Sequence, residues 1–321
     1  ETLPEILEFM ADYGERCLGK GIVWAKDTPN FVGNRIGVQG MVKTIQMALE
    51  DQMTIPEVDA LFGSVMGRPK TAMFKTADLV GLDVLAHVAR NTYEMVPDDE
   101  GRDSYVMPEF VQNMIAKNLL RKKSQSGFYK TELTPEWQKI RKVIDPDSLT
   151  YGEYEIPTYP CLENARRAGT LPERMRAVVY GDDKLARFAW KALANNLIYA
   201  ANRILEISDT IVDIDNAMKW GYNFEIGPFE IQTHPIGKID LGDPEVRMGY
   251  SADDATPGGR IRQVRKANRF RITVGNDRRQ QAPVISGQQL VFGEQIGWIN
   301  PGVVGEKSPE SLPFASSLGR R

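Results

Sequence analysis

The sequence predicts a mainly α-helical protein that holds two copies of one helical unit, the second copy truncated, followed by an irregular C-terminal tail. Three observations lead to this prediction. Apolar residues recur at helical spacing over long stretches before residue 232. The order Asn-Arg-Ile, followed later by an apolar residue and Asp, occurs twice. After about residue 232, glycine, proline and arginine become more frequent and the helical spacing is lost.

The first copy is predicted at residues 1–130. Its longest helix is expected near residues 31–50, since Asp27 and Thr28 favour a helix cap and Pro29 suits the first turn. Asn34 then lies one to two turns into that helix and projects a neutral amide near its start. Periodic spacing predicts the other helices of this copy at residues 4–18, from residue 55, at 78–93 and at 109–120.

Residues 131–180 are predicted to be a linker, because prolines punctuate the segment, although two short helices can form within it. Helical spacing returns at Asp182 and Asp183, which favour a cap for a helix that runs to about Ser208. Another helix is expected at residues 211–220, and the partial second copy therefore covers residues 181–232.

The repeat lies in the order of its elements rather than in a fixed period. Asn34-Arg35-Ile36 precedes Val58-Asp59, and Asn202-Arg203-Ile204 precedes Ile214-Asp215. Gly67-Arg68-Pro69 is taken to correspond to Gly227-Pro228 in the second copy.

Composition excludes several classes of function. A formal charge of -3 over 321 residues gives no overall attraction to nucleic acid or to anionic membranes. No apolar run approaches the roughly 18 to 20 residues that a membrane-spanning helix needs. Cys17 and Cys161 make no disulfide framework, which favours a cytoplasmic location. No group of His, Cys, Asp or Glu has the spacing of metal ligands, so no metal is predicted.

Several segments resemble, in the same order, the helical domain of 3-hydroxyacyl-CoA dehydrogenases. These are residues 27–35, 74–83, 127–129 and 218–230. Arg68-Pro69-Lys70 and Tyr151-Gly152-Glu153 are similar to the branch of multifunctional β-oxidation proteins in which the dehydrogenase precedes an enoyl-CoA hydratase domain. The resemblance covers about residues 1–231 and implies tandem helical domains like the C-terminal domain of 6-phosphogluconate dehydrogenase.

The resemblance implies an oxidoreductase that converts a 3-hydroxyacyl-CoA and NAD into a 3-ketoacyl-CoA and NADH. Asn34 matches the asparagine of the family's site and is the predicted catalytic residue. Pro69, Lys70 and Phe74 belong to the segment that lines the substrate mouth and are predicted to bind substrate. Lys75 stands where the family often has Glu, which leaves its role open. The implied partners are the acyl-CoA substrate, a separate NAD-binding domain, an enoyl-CoA hydratase domain and a second copy of the chain.

The sequence lacks the groups that perform the redox step. In the family, a His–Glu pair in a preceding NAD-binding domain supplies the base, whereas His87 and His234 lie outside that context. His87 is predicted to be structural. No Gly-x-Gly-x-x-Gly occurs after a strand, so the NAD site is absent. The chain is expected to be a fragment, inactive alone, that encloses substrate and packs against other domains. The alternative is a stand-alone helical module that binds acyl-CoA or supports assembly without redox activity.

Residues 233–321 diverge from the family, and two hypotheses address them: a shift of reading frame near residue 232, or disorder. The tail's composition favours little stable structure. Its basic block, residues 260–279, has the charge to contact phosphates but only one aromatic residue, Phe270. Nucleic acid is therefore not a predicted partner.

Overall fold

The computed structural model describes residues 2–120, 126–233 and 288–292. Most of these residues are helical, which confirms the predicted mainly α-helical class. The α-helices are α1 (Pro4–Asp12), α2 (Gly33–Glu50), α3 (Ile55–Leu61), α4 (Phe74–Val80), α5 (Leu82–Met95), α6 (Glu109–Ala116), α7 (Pro160–Arg167), α8 (Leu171–Val179), α9 (Lys184–Asn202), α10 (Ile211–Asn216) and α11 (Pro228–Thr233).

Two small antiparallel sheets accompany the helices. Strand β1 (Ile22–Lys26) pairs with β5 (Gln288–Phe292), and Trp24 lies opposite Leu290. Strands β2 (Tyr129–Leu133), β3 (Lys139–Ile144) and β4 (Tyr151–Glu153) form a three-stranded meander in sequence order. None of the helices within the described ranges is both long and apolar enough to cross a membrane.

Helix α2 begins later than the sequence predicts. Its first residue is Gly33, and Val32 occupies the N-cap position without a side-chain capping bond. The cap predicted at Asp27 and Thr28 is therefore wrong.

Tertiary contacts explain the late start of α2. Asn30 and Phe31 have φ angles of 62° and 50°, which a right-handed helix excludes. The Asn30 side chain donates a hydrogen bond to Thr92 Oγ1 in α5, and this contact holds the preceding residues in a turn. Asn34 consequently lies in the first turn of α2, where helical backbone N–H groups have no intrahelical partner.

Two other predicted helices are divided. Gly81, with a φ of 102°, separates α4 from α5 inside the helix expected at residues 78–93. The helix expected at residues 211–220 consists of α10 and a π-helical turn at Ala217–Gly221. The second break leads directly into the segment that begins at Tyr222.

The centre of the core is the contact between α2 and α9, one long helix from each copy. Gly40 of α2 lies so close to Asn196 of α9 that an added Cβ would be 2.7 Å from its amide nitrogen. The predicted start of α9 is confirmed, because the Asp183 side chain accepts a hydrogen bond from the Ala186 N–H over 2.8 Å. This capping contact is local, which explains why sequence alone finds it.

One buried carboxylate joins the two copies. Asp99, whose side chain is 1% exposed, pairs with Arg35 of α2 at 2.7 Å and with Arg203 after α9 at 3.1 Å. These arginines occupy the same place in the predicted repeat. Glu206 lies 2.8 Å from both of them, and Tyr199 donates to Asp99 over 2.7 Å. Burial raises the pKa of Asp99, but the Tyr199 hydrogen bond and the charge of Arg203 outweigh it and hold that pKa below its ordinary value.

Residues 131–180 contain more regular structure than their prolines indicate. Most of the β2–β3–β4 sheet falls in this segment, with Tyr129 opposite Val143 and Lys142 opposite Glu153. Helices α7 and α8 are the two short helices that the sequence allowed. The role of the segment as a linker stays a prediction.

Among residues 234–321 the structure describes strand β5 alone. This strand departs from the expectation of an entirely irregular tail. The basic block, His234 and the proposed frame shift lie outside the described residues.

Candidate substrate site

Asn34 is held by a residue of the second copy. Its Oδ1 accepts a hydrogen bond from the Tyr222 hydroxyl over 2.9 Å, and both side chains are partly buried. Tyr222 follows the π-helical turn after α10, so the bond joins the two copies. Burial raises the pKa of Tyr222, and the hydroxyl keeps its proton for Asn34 at neutral pH.

Glycines on α2 make room for the Tyr222 ring. A Cβ added at Gly37 would lie 2.3 Å from Tyr222 Cε1, and one added at Gly33 would lie 3.3 Å from Cε2. A Cβ at Gly37 is therefore incompatible with the observed ring position. The sequence spaces these glycines one helical turn apart, on either side of Asn34.

The hydrogen bond from Tyr222 determines which group Asn34 can offer to a ligand. An asparagine amide has one acceptor oxygen and one NH₂ donor. Its oxygen is occupied here, and its Nδ2 has no partner within the described ranges. Asn34 can therefore donate to a carbonyl or a developing oxyanion without any change of its own charge.

A second loop approaches the same residues. We call residues 222–225 the tyrosine segment, because Tyr222 begins it. The Glu225 N–H donates to the carbonyl of Gly67 over 2.9 Å, and the Arg68 guanidinium lies 3.5 Å from the centre of the Phe224 ring. The Tyr222 and Phe224 rings are 5.9 Å apart. The tyrosine segment thus connects Asn34 to the loop that follows Gly67.

Two predicted substrate residues lie in this loop. Pro69 is partly buried, and its carbonyl accepts from the Ala72 N–H over 2.8 Å. Lys70 is exposed and forms no ion pair with another described residue. Both follow Gly67 closely in the sequence, and their roles stay predictions.

Phe74, the third predicted substrate residue, lies in the hydrophobic core. Its side chain is 2% exposed and packs edge-on against Phe128, with 4.6 Å between ring centres. A side chain without exposed surface cannot contact a ligand in this conformation. Any effect of Phe74 on substrate would act through the position of the loop before it.

A buried carboxylate supports the far end of this loop. Asp59 accepts from the Phe74 N–H over 2.6 Å and from the Tyr129 hydroxyl over 2.8 Å. Lys75 Nζ lies 3.5 Å from Asp59, so this lysine neutralises a buried charge. Burial raises the pKa of Asp59, and the charge of Lys75 opposes that shift.

The second copy repeats this contact. Asp215 accepts from the Phe229 N–H over 2.7 Å. Burial, aided by the nearby charge of Glu230, raises the pKa of Asp215 to about 7. The contact aligns Phe229 with Phe74. Phe74 is seven residues after Gly67 and Phe229 is two after Gly227, so the correspondence of Gly67-Arg68-Pro69 with Gly227-Pro228 concerns element order and stays a prediction.

No candidate base accompanies Asn34 in the geometry above. His87 is exposed on α5 and makes no hydrogen bond or ion pair with another described residue. Within the described ranges no three His, Cys, Asp or Glu residues are grouped as metal ligands.

Sequence reasoning missed Tyr222 and Arg68 as site residues. Tyr222 is 188 positions from Asn34, and no spacing rule connects them. Arg68 was noted only as part of a motif. The one available signal was the pair of glycines around Asn34, which indicates a close neighbour on that face of the helix.

Comparison with known proteins identifies relatives. Residues 31–131 match a family model described as 3-hydroxyacyl-CoA dehydrogenase, C-terminal domain. A Bacillus subtilis (strain 168) protein named "Probable 3-hydroxyacyl-CoA dehydrogenase" is 45% identical over 231 residues, which are 72% of this chain and 28% of that protein. A Rickettsia felis protein whose name includes "fatty acid oxidation complex trifunctional enzyme" is 27% identical over 71% of this chain and 30% of that protein. The chain thus spans less than a third of the length of these two relatives.

A solved structure has a similar fold. The crystal structure of 3-hydroxybutyryl-CoA dehydrogenase from Escherichia coli K12 matches with a TM-score of 0.53 at 18% identity, over 84% of this chain and 65% of that chain. At this identity, the likeness concerns the fold alone.

Proposed function

We propose that this chain supplies the substrate-enclosing part of a 3-hydroxyacyl-CoA dehydrogenase in fatty-acid β-oxidation. Residues 31–131 match the model of that family's C-terminal domain, in agreement with the motifs of the sequence. The reaction is the oxidation of a 3-hydroxyacyl-CoA by NAD to the 3-ketoacyl-CoA. One observation carries the proposal: the Asn34 amide is fixed by Tyr222 with its NH₂ group available.

The amide suits a step in which a hydroxyl oxygen becomes a carbonyl oxygen. A donor that is already oriented stabilises negative charge on oxygen without reorganising during the reaction. Asn34 does not titrate and therefore acts as an electrostatic helper. Tyr222 is a positioning residue, because it contacts the amide oxygen and leaves the NH₂ group for the substrate.

The residues of this chain do not fit NAD. A dinucleotide site needs a glycine-rich turn between a strand and a helix N-terminus, and no Gly-x-Gly-x-x-Gly occurs in the sequence. The described residues likewise bring no histidine and carboxylate together near Asn34. We assign NAD and the general base to a separate NAD-binding domain, with which this chain forms the complete site.

The name of the Rickettsia felis relative supports a multifunctional context, and an enoyl-CoA hydratase domain is accordingly a proposed partner. Self-association of the chain and a cytoplasmic location complete the proposal.

Complementation tests the proposed function. The chain is mixed with the separately expressed part of the Bacillus subtilis relative that this chain does not cover, and NADH oxidation is followed with a 3-ketoacyl-CoA. We expect activity only when both parts are present. Asn34→Ala should lower kcat by about 10²-fold, as expected for the loss of one oxyanion donor. Asn91→Ala, at an exposed position of α5, is the matched control and retains activity.

A double-mutant cycle tests the role of Tyr222. Tyr222→Phe keeps the ring over α2 and removes the hydroxyl. If the hydroxyl acts only through Asn34, the double variant is no slower than Asn34→Ala. Additive effects would contradict this coupling. An acyl-CoA that binds to the chain while every complemented mixture stays inactive would instead support the stand-alone binding module.

A further inference from the structure

Arg68 is a partly buried cation without a carboxylate partner among the described residues. Other arginines of low exposure are compensated: Arg35 and Arg203 share Asp99, and Arg174 lies 3.6 Å from Glu225. Arg102 also stacks on a ring, at 3.9 Å from Tyr93, but it donates through Nε to the Tyr93 carbonyl. Arg68 has only its stacking contact with Phe224.

The stacking orients the guanidinium for an anion. A guanidinium that lies flat on an aromatic ring keeps its N–H donors in the plane, where they can grip a phosphate or carboxylate in a bidentate manner. Removal from water lowers the pKa of Arg68, and no neighbouring carboxylate opposes that effect. An anion bound to the N–H groups of Arg68 would neutralise its positive charge.

The surroundings of Arg68 are also positive. Lys70 is exposed two residues later in the same loop, and Arg174 of α8 approaches the tyrosine segment from the other side. The one nearby carboxylate in the described contacts, Glu225, is 51% exposed and faces Arg174. Arg68 and Arg174 therefore both contact the tyrosine segment, and Lys70 lies two residues after Arg68 in the same loop. This excess of positive charge favours a ligand of more than one negative charge.

The position of Arg68 relative to Asn34 selects the ligand. The tyrosine segment carries contacts to Asn34 at Tyr222 and to Arg68 at Phe224. Asn34 is neutral and Arg68 is cationic. A CoA ester matches this arrangement, because a neutral thioester lies at one end of its pantetheine arm and phosphates lie at the other. We propose that Arg68 binds a phosphate group of the CoA moiety, so that the ester lies along the tyrosine segment with its acyl end toward Asn34. This inference rests on the proposed function and specifies how the substrate is held.

Calorimetric titration of the full chain tests the proposal with three probes: CoA, pantetheine and inorganic pyrophosphate. We expect Arg68→Met to weaken CoA binding at least about 10-fold, which corresponds to the loss of a charge-assisted hydrogen bond. Pantetheine has no phosphate and should bind wild type and variant equally. Pyrophosphate should compete with CoA in the wild type.

Two variants separate this role from a structural one. Arg141→Met removes an exposed arginine that lies 5.2 Å from the Tyr154 ring and should leave CoA binding unchanged. Arg68→Lys keeps the charge but loses the planar fork, and its affinity should fall between those of Arg68→Met and the wild type. The thermal midpoint of Arg68→Met should match that of the wild type, because an uncompensated cation adds no net ion pairing.

The outcomes distinguish the two proposals. Equal affinity of wild type and Arg68→Met for CoA overturns the role of Arg68 and leaves the proposed function standing. Pyrophosphate binding that needs Arg68 but does not compete with CoA shows a general phosphate site and overturns the CoA assignment. A wild-type chain that binds neither CoA nor its esters overturns the CoA assignment of Arg68, and the complementation assay decides the proposed function separately.

Discussion

In the first copy Asn34 keeps its amide nitrogen available beside Tyr222, whereas in the second copy Asn202 donates its amide nitrogen to Glu100 over 2.8 Å. The same tripeptide, Asn-Arg-Ile, thus makes different contacts in the two copies. In the first copy it presents a donor to a candidate ligand, and in the second it fastens the end of α9 to the loop after α5. The two occurrences of the motif therefore make different contacts.

The copies also differ in how they neutralise equivalent carboxylates. Asp59 and Asp215 both accept a backbone N–H from a phenylalanine, Phe74 and Phe229 respectively. The residue after that phenylalanine is Lys75 in the first copy, where it pairs with Asp59, and Glu230 in the second. The first carboxylate therefore forms an ion pair, whereas the second lies near Glu230, and Lys219, which pairs with Glu230, only partly opposes the rise in the pKa of Asp215. This difference has consequences that unfolding measurements can detect.

The largest loss of unfolding free energy is expected at Asp99, the carboxylate that contacts both copies. Asp99→Asn leaves Arg35 and Arg203 without their common buried partner, and breaking a buried ion pair costs about 3–5 kcal/mol. Urea unfolding should show this loss. Glu206→Gln, at a side chain that is 40% exposed, is the control and should cost less than about 1 kcal/mol. Similar losses in both variants would contradict a special role for Asp99.

A smaller loss is expected where the second copy lies over α2. Gly37→Ala places a Cβ against the Tyr222 ring and should cost up to about 3 kcal/mol through overpacking, while it also releases Asn34. Gly152→Ala, whose added Cβ meets nothing within 4 Å, is the control. Chemical denaturation and the complementation assay should both report the change. Unaltered activity in Gly37→Ala would show that Tyr222 does not position Asn34.

Asp215, the carboxylate of the second copy, forms no ion pair with another described residue. We therefore expect the free energy of unfolding to depend on pH. Burial raises the pKa of Asp215 from 3.8 to about 7, so the folded chain holds this proton more tightly than the unfolded chain. The resulting stability is complete below pH 3.8 and is lost as the pH rises to about 7. The slope is at most about 1.4 kcal/mol per pH unit, so over the interval from pH 3.8 to about 7 the stabilisation falls by about 4 kcal/mol.

Asp215→Asn should flatten this profile of unfolding free energy between pH 5 and 7. Asp98→Asn, at an exposed position in the first copy, should keep it. A profile that is unchanged in Asp215→Asn would show that other groups cause the pH dependence.

The smallest loss of unfolding free energy is expected at Lys75, the cation beside Asp59 in the first copy. Lys75→Met removes the charge that faces Asp59 at 3.5 Å, and the Lys75 side chain is 30% exposed. We expect a loss of about 1 kcal/mol at pH 8, because Lys75 is partly exposed and Asp59 keeps its hydrogen bonds from Phe74 and Tyr129. The loss should vanish at a pH where Asp59 is protonated. A loss of equal size at every pH would indicate lost packing on Tyr129 instead.

Local chemistry explains which parts of the fold the sequence predicts. The Asp183 cap and the apolar spacing of α9 depend on neighbours within a few residues, and both predictions are confirmed. The start of α2 depends on the contact of Asn30 with Thr92, which is 62 residues away. Capping preferences therefore placed that helix start too early.

Non-local pairing also hides the sheet in residues 129–153. The exposed strand β3 carries lysines and an arginine rather than a strict apolar alternation. The prolines of this segment lie in the turns that connect the strands. For the site, motif resemblance predicts Asn34, but the orientation of its amide depends on Tyr222. Arg68 becomes a candidate only when its lack of a carboxylate and its contact with Phe224 are seen together.

The bond between Tyr222 and Asn34 has a consequence for how this architecture is inherited. The motif at residues 27–35 and the family match at residues 31–131 both end long before Tyr222. A gene that lost the second copy would retain every recognisable signature of the first and yet encode an asparagine without orientation. Recombination that keeps Asn34 oriented must therefore carry both copies together, although the family model matches only residues 31–131.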